Sequence, residues 1–314
     1  MNSPHPSRFT SHRNFGKVAV LMGGRSAERE ISLLSGNNVL AALRRQGVDA
    51  HVFDPAERPI FELVRENYAC AFIALHGRHG EDGTVQGALE LMDIPYTGSG
   101  VLASALCMDK LRTKLVWQAV GIPVPRHVVL AATSDWLAVA RELGLPLMVK
   151  PAREGSSIGI TKVTAAAEIK TAYDLAARHD TLVLAEEFIA GQELTATFLA
   201  DRVLPLIRIE APDGNYDYHH KYFSNDTQYH CPCGLTAAQE SAIQTLVLSA
   251  VEALDCRGWG RADLMLRADG GSFLFEMNTV PGMTDHSLVP MAARAAGLGF
   301  DELTLKILEC AHVG

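Results

Sequence analysis

Apolar positions along the chain alternate between two rhythms. Residues 17–22 (KVAVLM) form an unbroken apolar run of strand length, followed by Gly23-Gly24. From about 27 to 45 the apolar residues recur at helical spacing. Strand-like runs return in DAHVFD and in CAFIAL at 70–75. Strands alternating with helices predict a parallel α/β sheet, whose functional groups gather at the carboxyl ends of the strands. Two residues fall there. Glu28, in the first turn of the predicted helix, is either a helix-dipole carboxylate or a ligand for a substrate ammonium. His76 opens the glycine-rich loop LHGRHGEDGTVQG, as a structural group or as part of a site. The double glycine lacks the G-x-G-x-x-G spacing of a dinucleotide fingerprint.

From Asp109 the texture changes. MDKLRTKLVWQAVGIPVP predicts a helix and a Gly-Ile-Pro break, then the strand HVVL, a helix near 134–143 and the strand LPLMVKP. Lys150 closes that strand and precedes REGSSIGI. There Gly155, Ser156, Ser157 and Gly159 would let backbone N–H groups approach phosphate oxygens, and the lysine adds a point charge. An ordinary turn has the same composition, and no Walker sequence occurs in the chain. A helix over 165–178 leads to LVLAEEFIAGQEL, which reads as one strand. Its acids suit either the edge of an adenine pocket, with Glu193 placed for ribose hydroxyls, or a plain solvated face. Residues 211–235 show neither period, and a stretch of that length predicts a functional loop such as a lid. It carries Lys221 and Tyr222. It also carries His219, His220, His230, Cys231 and Cys233, which lack the second ligand pair of a zinc site.

Residues 261–282 (RADLMLRADGGSFLFEMNTVPG) read as two short strands joined at Asp269-Gly270, a dipeptide suited to a tight hairpin. A turn centred there puts Asp263 opposite Glu276, with Asn278 on the Glu276 face. Opposed side chains lie about 5 Å apart, and like charges there are destabilising. Two carboxylates and an amide oxygen on one face therefore call for a cation, and all-oxygen ligands favour magnesium or manganese over zinc. The competing expectation is a solvated hairpin with acids on its wet face, and the turn is free to slip by one residue. Beyond it, LVPMAARAAG predicts a short helix with Pro290 near its start and Gly297 past its end. The amides opening that helix suit an anion such as a carboxylate.

Composition narrows the classes. A chain of 314 residues, 48% hydrophobic, can bury the cores of two or three domains. A net charge of −8 without a long basic run argues against a nucleic-acid partner. No apolar run approaches the roughly 18–20 residues that span a bilayer. The opening MNSPHPSRFTSHRNFG lacks an apolar signal core and predicts a disordered leader. Six cysteines without framework spacing predict free thiols in a reducing cytoplasm.

Taken in order, GGRSAEREISLLSG, LHGRHGEDGTVQG, MDKLRTK, VKPAREGSSIG, EEFIAGQELT, DYHHKYFSNDTQY, GWGRADL and FEMNTVPGMTDHSLVP resemble the D-alanine–D-alanine ligase family of the ATP-grasp superfamily. The resemblance covers the chain from about Lys17 onward. It implies a three-domain α/β ATP-grasp fold with the nucleotide clamped between the central and carboxy-terminal domains. After a leader over 1–15, the implied division is an N-terminal substrate domain over 16–108 and a central ATP-grasp subdomain over 109–192. A C-terminal catalytic domain over 193–314 carries the lid loop 211–235. The implied activity is ATP-dependent joining of two D-alanines through a D-alanyl phosphate, for peptidoglycan precursors in the cytoplasm. A homodimer without nucleic-acid or membrane partners is also implied. The alternatives are another carboxylate–amine ligase, a D-alanine–D-lactate ligase or, from a different class, a non-catalytic nucleotide-binding regulator.

The resemblance also assigns roles. Glu28 is implied to hold the ammonium of the first D-alanine, with His76 beside it. Lys110, Lys150 and Ser156 would contact nucleotide phosphates, Glu186 and Ile189 the adenine, and Glu193 the ribose. Lys221 would reach the phosphates or the second carboxylate, while Tyr222 would bond Ser156 and Glu28. Asp263, Glu276 and Asn278 are the implied ligands of two magnesium or manganese ions. Arg261 and the Gly282 N–H would stabilise oxyanion charge, and Ser287 with the Leu288 N–H would hold the second carboxylate. Tyr222 favours amine acceptors, since relatives making D-alanyl-D-lactate tend to carry phenylalanine there. Three departures stand out: HHKY, with His219 and His220, replaces the more frequent E-A-K-Y; His79 interrupts R-G-G; and Asp285 adds an acid near the second-substrate site.

Overall fold

The structure is a computed structural model and describes residues 14–155, 158–210 and 227–314. The predicted leader falls mostly outside the described residues, as do residues 211–226 of the expected lid loop 211–235; the rest of that loop is not structureless, since Gln228–His230 is a strand. Strands β1 (Val18–Leu21), β2 (Ala50–Phe53) and β3 (Cys70–Ile73) form a parallel sheet in the order β2-β1-β3. Helix α1 (Arg29–Arg45) links β1 to β2, and α2 (Glu62–Arg65) links β2 to β3. Every residue of β1 and β3 is buried, so both read as unbroken apolar runs rather than alternating ones. Helices α3 (Thr84–Leu91), α4 (Val101–Met108) and α5 (Lys110–Ala119) follow. Asp109 separates the last two with extended backbone and caps α5 by accepting the Arg112 N–H at 3.1 Å. That cap puts Lys110 at the first position of the helix.

The expectation of a parallel sheet holds for this part alone. A four-stranded antiparallel sheet comes next, built from β4 (His127–Leu130), α6 (Trp136–Leu143), β5 (Leu147–Pro151), β6 (Thr161–Val163), α7 (Ile169–Ala176) and β7 (Val183–Glu187). Its strand order is β4-β7-β5-β6. The larger sheet takes β8 (Gln192–Leu199), β9 (Arg202–Val203), β10 (Ile207–Glu210), β11 (Gln228–His230), then α8 (Ala237–Ala253), β12 (Trp259–Leu266) and β13 (Ser272–Asn278). It is antiparallel in the order β11-β10-β8-β12-β13, with β9 also on β8. Finally α9 (Leu288–Ala295) and α10 (Phe300–Glu309) return to the first sheet, where Val289, Ala292, Leu303 and Ile307 join its core.

LVLAEEFIAGQEL is two strands, not one. The chain leaves the middle sheet after Glu187 and enters the large sheet at Gln192. Gly191 makes the passage possible, because a Cβ there would lie 2.2 Å from the Leu266 carbonyl oxygen.

The β12–β13 hairpin reaches the expected pairing by another route. Near the turn the partners are Leu264↔Leu274, Met265↔Phe273 and Leu266↔Ser272, one residue out of step with a turn centred on Asp269-Gly270. Only Gly270 of that dipeptide has a positive φ, +89°, and Arg267 N–H bonds the Gly271 carbonyl at 2.9 Å. The loop is therefore three residues long. A bulge then inserts Phe275, and beyond it Asp263 pairs with Glu276, Ala262 with Met277 and Arg261 with Asn278. Leu274 and Met277, three apart rather than two, both enter the core beneath the sheet.

Trp117 anchors α5 under this sheet; it is fully buried and its indole N–H donates to the Ala250 carbonyl at 3.1 Å. Trp117→Ala is expected to cost about 3–5 kcal/mol. Arg45→Ala, which cuts the half-exposed pair with Asp301, should cost under about 1 kcal/mol. Urea unfolding of both variants checks the contrast.

Candidate active site

The carboxyl ends of β1 and β3 are stitched together by hydroxyls of α1. Ser32 is buried; its oxygen accepts the Gly23 N–H at 2.9 Å and donates to the Ala74 carbonyl at 2.7 Å. Glu28 stands at the helix start, where its N–H bonds Ser26 Oγ at 3.2 Å while that hydroxyl donates to the His76 carbonyl at 2.7 Å. Gly77 has a φ of +65°, and a Cβ there would come within 2.6 Å of Glu28 Oε2. The glycine therefore leaves room for the carboxylate.

His76 is buried between the first sheet and the segment after β13. Its Nδ1 lies 2.9 Å from the Val280 carbonyl, which can only accept, so that nitrogen carries a proton. Its Nε2 is 3.2 Å from Ser35 Oγ, which also accepts the Met283 N–H at 3.1 Å. Burial opposes a charge on this ring. The Glu81 carboxylate, 3.8 Å from Nδ1, and Glu28 outweigh it and raise the pKa above the ordinary histidine value.

Asp263 and Glu276 face each other across the ladder, as expected, yet each already has a protein cation. Arg261 grips Asp263 with two bonds, 2.8 Å from Nε to Oδ1 and 2.7 Å from Nη2 to Oδ2, and Thr195 Oγ1 donates to Oδ1 at 2.7 Å. Lys110 Nζ lies 3.3 Å from Glu276 Oε2 and donates to the Glu154 carbonyl at 2.7 Å. The like-charge penalty is thus met inside the protein, which corrects the expectation that opposition alone demands a metal. The donor chemistry still fits one. Among the described residues no three His, Cys, Asp or Glu side chains are arranged so that they could hold a metal ion by themselves. Two carboxylates with Asn278 Oδ1, which accepts the Val280 N–H at 3.1 Å and keeps a second lone pair, make an all-oxygen set.

The middle sheet contributes a buried charge triad. Glu186 on β7 lies 2.7 Å from Lys150 Nζ through Oε2 and 3.3 Å from Lys114 Nζ through Oε1. Oε1 has the Lys114 ammonium at ion-pair distance but no well-aligned hydrogen-bond donor among the described residues. Burial raises the Glu186 pKa, but the two lysines overcome it and hold the carboxyl below its usual value. Burial also lowers Lys114 to about 8, with Lys150 adding to the effect and Glu186 opposing it. Lys114 donates to the Phe275 carbonyl at 2.8 Å.

One cleft is lined by Glu28, His76, Lys110, Arg261, Glu276, Asn278, Gly282, Ser287 and Leu288, residues drawn from widely separated stretches of chain. Lys150, Glu186, Ile189, Glu193 and Asp263 are not on its wall. Ser287 precedes the first residue of α9 without bonding a helix N–H, and its Oγ accepts the Thr284 N–H at 2.9 Å. A Cβ on Gly282 would meet that oxygen at 2.9 Å, so a side chain there would crowd Ser287. Ser156, Lys221 and Tyr222 lie outside the described residues.

This arrangement has close counterparts. Family signatures described as "D-ala D-ala ligase C-terminus" and "D-ala D-ala ligase N-terminus" match residues 116–309 and 53–99. A D-alanine–D-alanine ligase of Azoarcus sp. is 65% identical over 302 residues, covering 96% of this chain and 99% of the relative. The crystal structure of the D-alanine–D-alanine ligase of Bacillus anthracis superposes with a TM-score of 0.83 at 34% identity, covering 94% of this chain and 96% of that one. Its complex with ATP superposes at 0.82 with 32% identity over the same shares of each chain. The chain belongs to the D-alanine–D-alanine ligase family. A D-Ala:D-Ser ligase, VanG of Enterococcus faecalis, also superposes at 0.80 with 31% identity, covering 94% of this chain and 98% of that one. The fold alone therefore does not select the second substrate.

Ser35, Glu81, Lys114 and Thr195 hold site groups of this enzyme in place and carry no expectation from sequence. Ser32 and Ser35, three apart on the apolar face of a helix, were the readable signal, since a hydroxyl there needs a partner. Lys114 gives none, because a lysine on a helix is ordinarily solvated.

The raised His76 pKa has a stability consequence. A charge on His76 stabilises the fold fully below about pH 6.5 and is lost as pH rises through the raised value. Over that window the melting temperature of the wild type is expected to fall more than that of His76→Gln. Parallel melting curves at pH 6, 7 and 8 would refute this.

Proposed function

We propose that this cleft is where the enzyme joins two D-alanines at the expense of ATP, with the described side chains in the roles their positions suit. The convergence of Glu28, Lys110, Arg261, Glu276, Asn278, Gly282 and Ser287 on one cavity carries the reading. Glu28, beside the glycine that makes room for it, takes the ammonium of the first D-alanine, and His76 braces the same wall. Lys110 and Lys150 hold nucleotide phosphates. Glu186 Oε1, which lacks a well-aligned donor, receives the adenine amino group, with Ile189 against the ring and Glu193 on the ribose. Asp263, Glu276 and Asn278 would hold two divalent ions, magnesium or manganese, which would supply neutralisation of phosphate charge during phosphoryl transfer.

The carboxylate of the first D-alanine takes the γ-phosphoryl group, and the amine of the second attacks the resulting acyl phosphate. Phosphate leaves as the peptide bond forms. Arg261 and the Gly282 N–H face the tetrahedral oxyanion; donors of this kind contribute about 3–4 kcal/mol each. Ser287 and the Leu288 N–H, at the start of α9, receive the second carboxylate. The roles of Ser156, Lys221 and Tyr222 rest on the family resemblance alone. The same holds for the division at 108/109 and 192/193 and for a cytoplasmic homodimer, whereas D-alanine rather than D-lactate as acceptor agrees with the named relatives. No helix among the described residues is long and apolar enough to cross a membrane. The product serves peptidoglycan precursor synthesis.

Mass spectrometry of the products from ATP, magnesium and mixed D- and L-amino acids is expected to show D-alanyl-D-alanine as the main species. Product appearing only with D-lactate as acceptor would overturn the reading. Glu276→Gln is expected to slow turnover by about 100-fold or more, as when one preorganised charge-stabilising group is removed, while D-alanine binding survives.

A further inference from the structure

Lys114 does not line the cleft, yet it is fully buried, which is rare for a lysine without partners. Its ammonium lies between two structures that the reaction needs in register. On one side is the Phe275 carbonyl, 2.8 Å away, at the residue that the β12–β13 bulge inserts. On the other is Glu186 Oε1, 3.3 Å away, whose second oxygen holds Lys150 at 2.7 Å. The Phe275 ring is 5.7 Å from both ammonium groups, so it closes the space between them.

The bulge matters because of what the ladder does without it. Continued in the register it has near the turn, the hairpin would set Asp263 against Phe275 and Glu276 against Ala262. The inserted residue brings the two carboxylates opposite each other, and a buried charged donor holds its carbonyl. We propose that Lys114 is a positioning residue: it fastens the Phe275 bulge to the Lys150–Glu186 pair, and so fixes the oxygen set of Asp263 and Glu276 relative to the nucleotide groups of the middle sheet. This rests on reading the cleft as a site for ATP and divalent ions.

The test is equilibrium binding of β,γ-imido-ATP with Mn²⁺, without turnover, followed by calorimetry and by the Mn²⁺ paramagnetic signal. Lys114→Met is expected to keep the native circular dichroism and to weaken Mn²⁺–nucleotide binding about tenfold or more, the scale set by residues that orient metal ligands. Lys114→Gln keeps an N–H for the Phe275 carbonyl and is expected to lose less. A Lys114→Met variant that melts earlier but binds within about threefold of wild type shows a merely structural lysine and overturns the proposal. Should that variant fail to fold, Lys114→Gln decides. A measurable loss of Mn²⁺–nucleotide binding, smaller than tenfold, supports the positioning role, and binding equal to that of the wild type overturns it. Failure of the wild type to bind the analogue overturns the reading of the cleft itself.

Discussion

Carboxylates drawn out of water in and beneath a cleft need counter-charge within a few ångströms, and the organisation of this protein follows from supplying it. Arg261 closes on Asp263, Lys110 on Glu276, and Lys114 and Lys150 together on Glu186. These contacts are not interchangeable with surface ion pairs. Removing one member of a buried pair strands the other, at about 3–5 kcal/mol. The cations also come from different parts of the fold: α5 provides two, β5 one and β12 one. Charge compensation therefore ties the middle sheet, the large sheet and the helix below them into one arrangement. On the proposed reading, the lysines would face a triphosphate and the acids would hold divalent ions.

The other half of the cleft is held by hydroxyls rather than charges. Ser32 and Ser35 face inward from α1, and each serves two partners on different segments. Through Ser35 and the Val280 carbonyl, His76 joins the end of β3 to the chain leaving β13. The groups read as facing the first and second substrates thus share a rigid seam. Short hydroxyls suit this task, since they satisfy buried backbone groups without adding bulk to a packed helix face.

Local rules found the parts of this protein that local physics governs. Unbroken apolar runs marked the buried parallel strands, the Gly-Ile-Pro break ended α5, and Pro290 and Gly297 bracketed α9. Glu28 and His76 were legible because strand ends in such sheets are where loops converge. LVLAEEFIAGQEL was misread because no local feature tells a strand that changes sheets from one that continues; only the approach of Leu266 to Gly191 does. The hairpin is more instructive. Asp263 and Glu276 are paired, but through a longer turn and a bulge whose effects offset each other. A trace of that bulge lay in FLFEMN, where strict alternation would have buried Leu274 on the face of Glu276.

What the sequence determined by itself was the order of elements, the kind of chemistry and, through eight ordered motifs, the family, because each depends on residues near one another in the chain. What tertiary structure alone decided was how the charges are shared. Lys114, Glu186 and Phe275 are separated by 72 and by 161 positions from Lys114 to each partner. Their association depends on how two sheets and a helix pack. A lysine looks solvated until its surroundings remove the water.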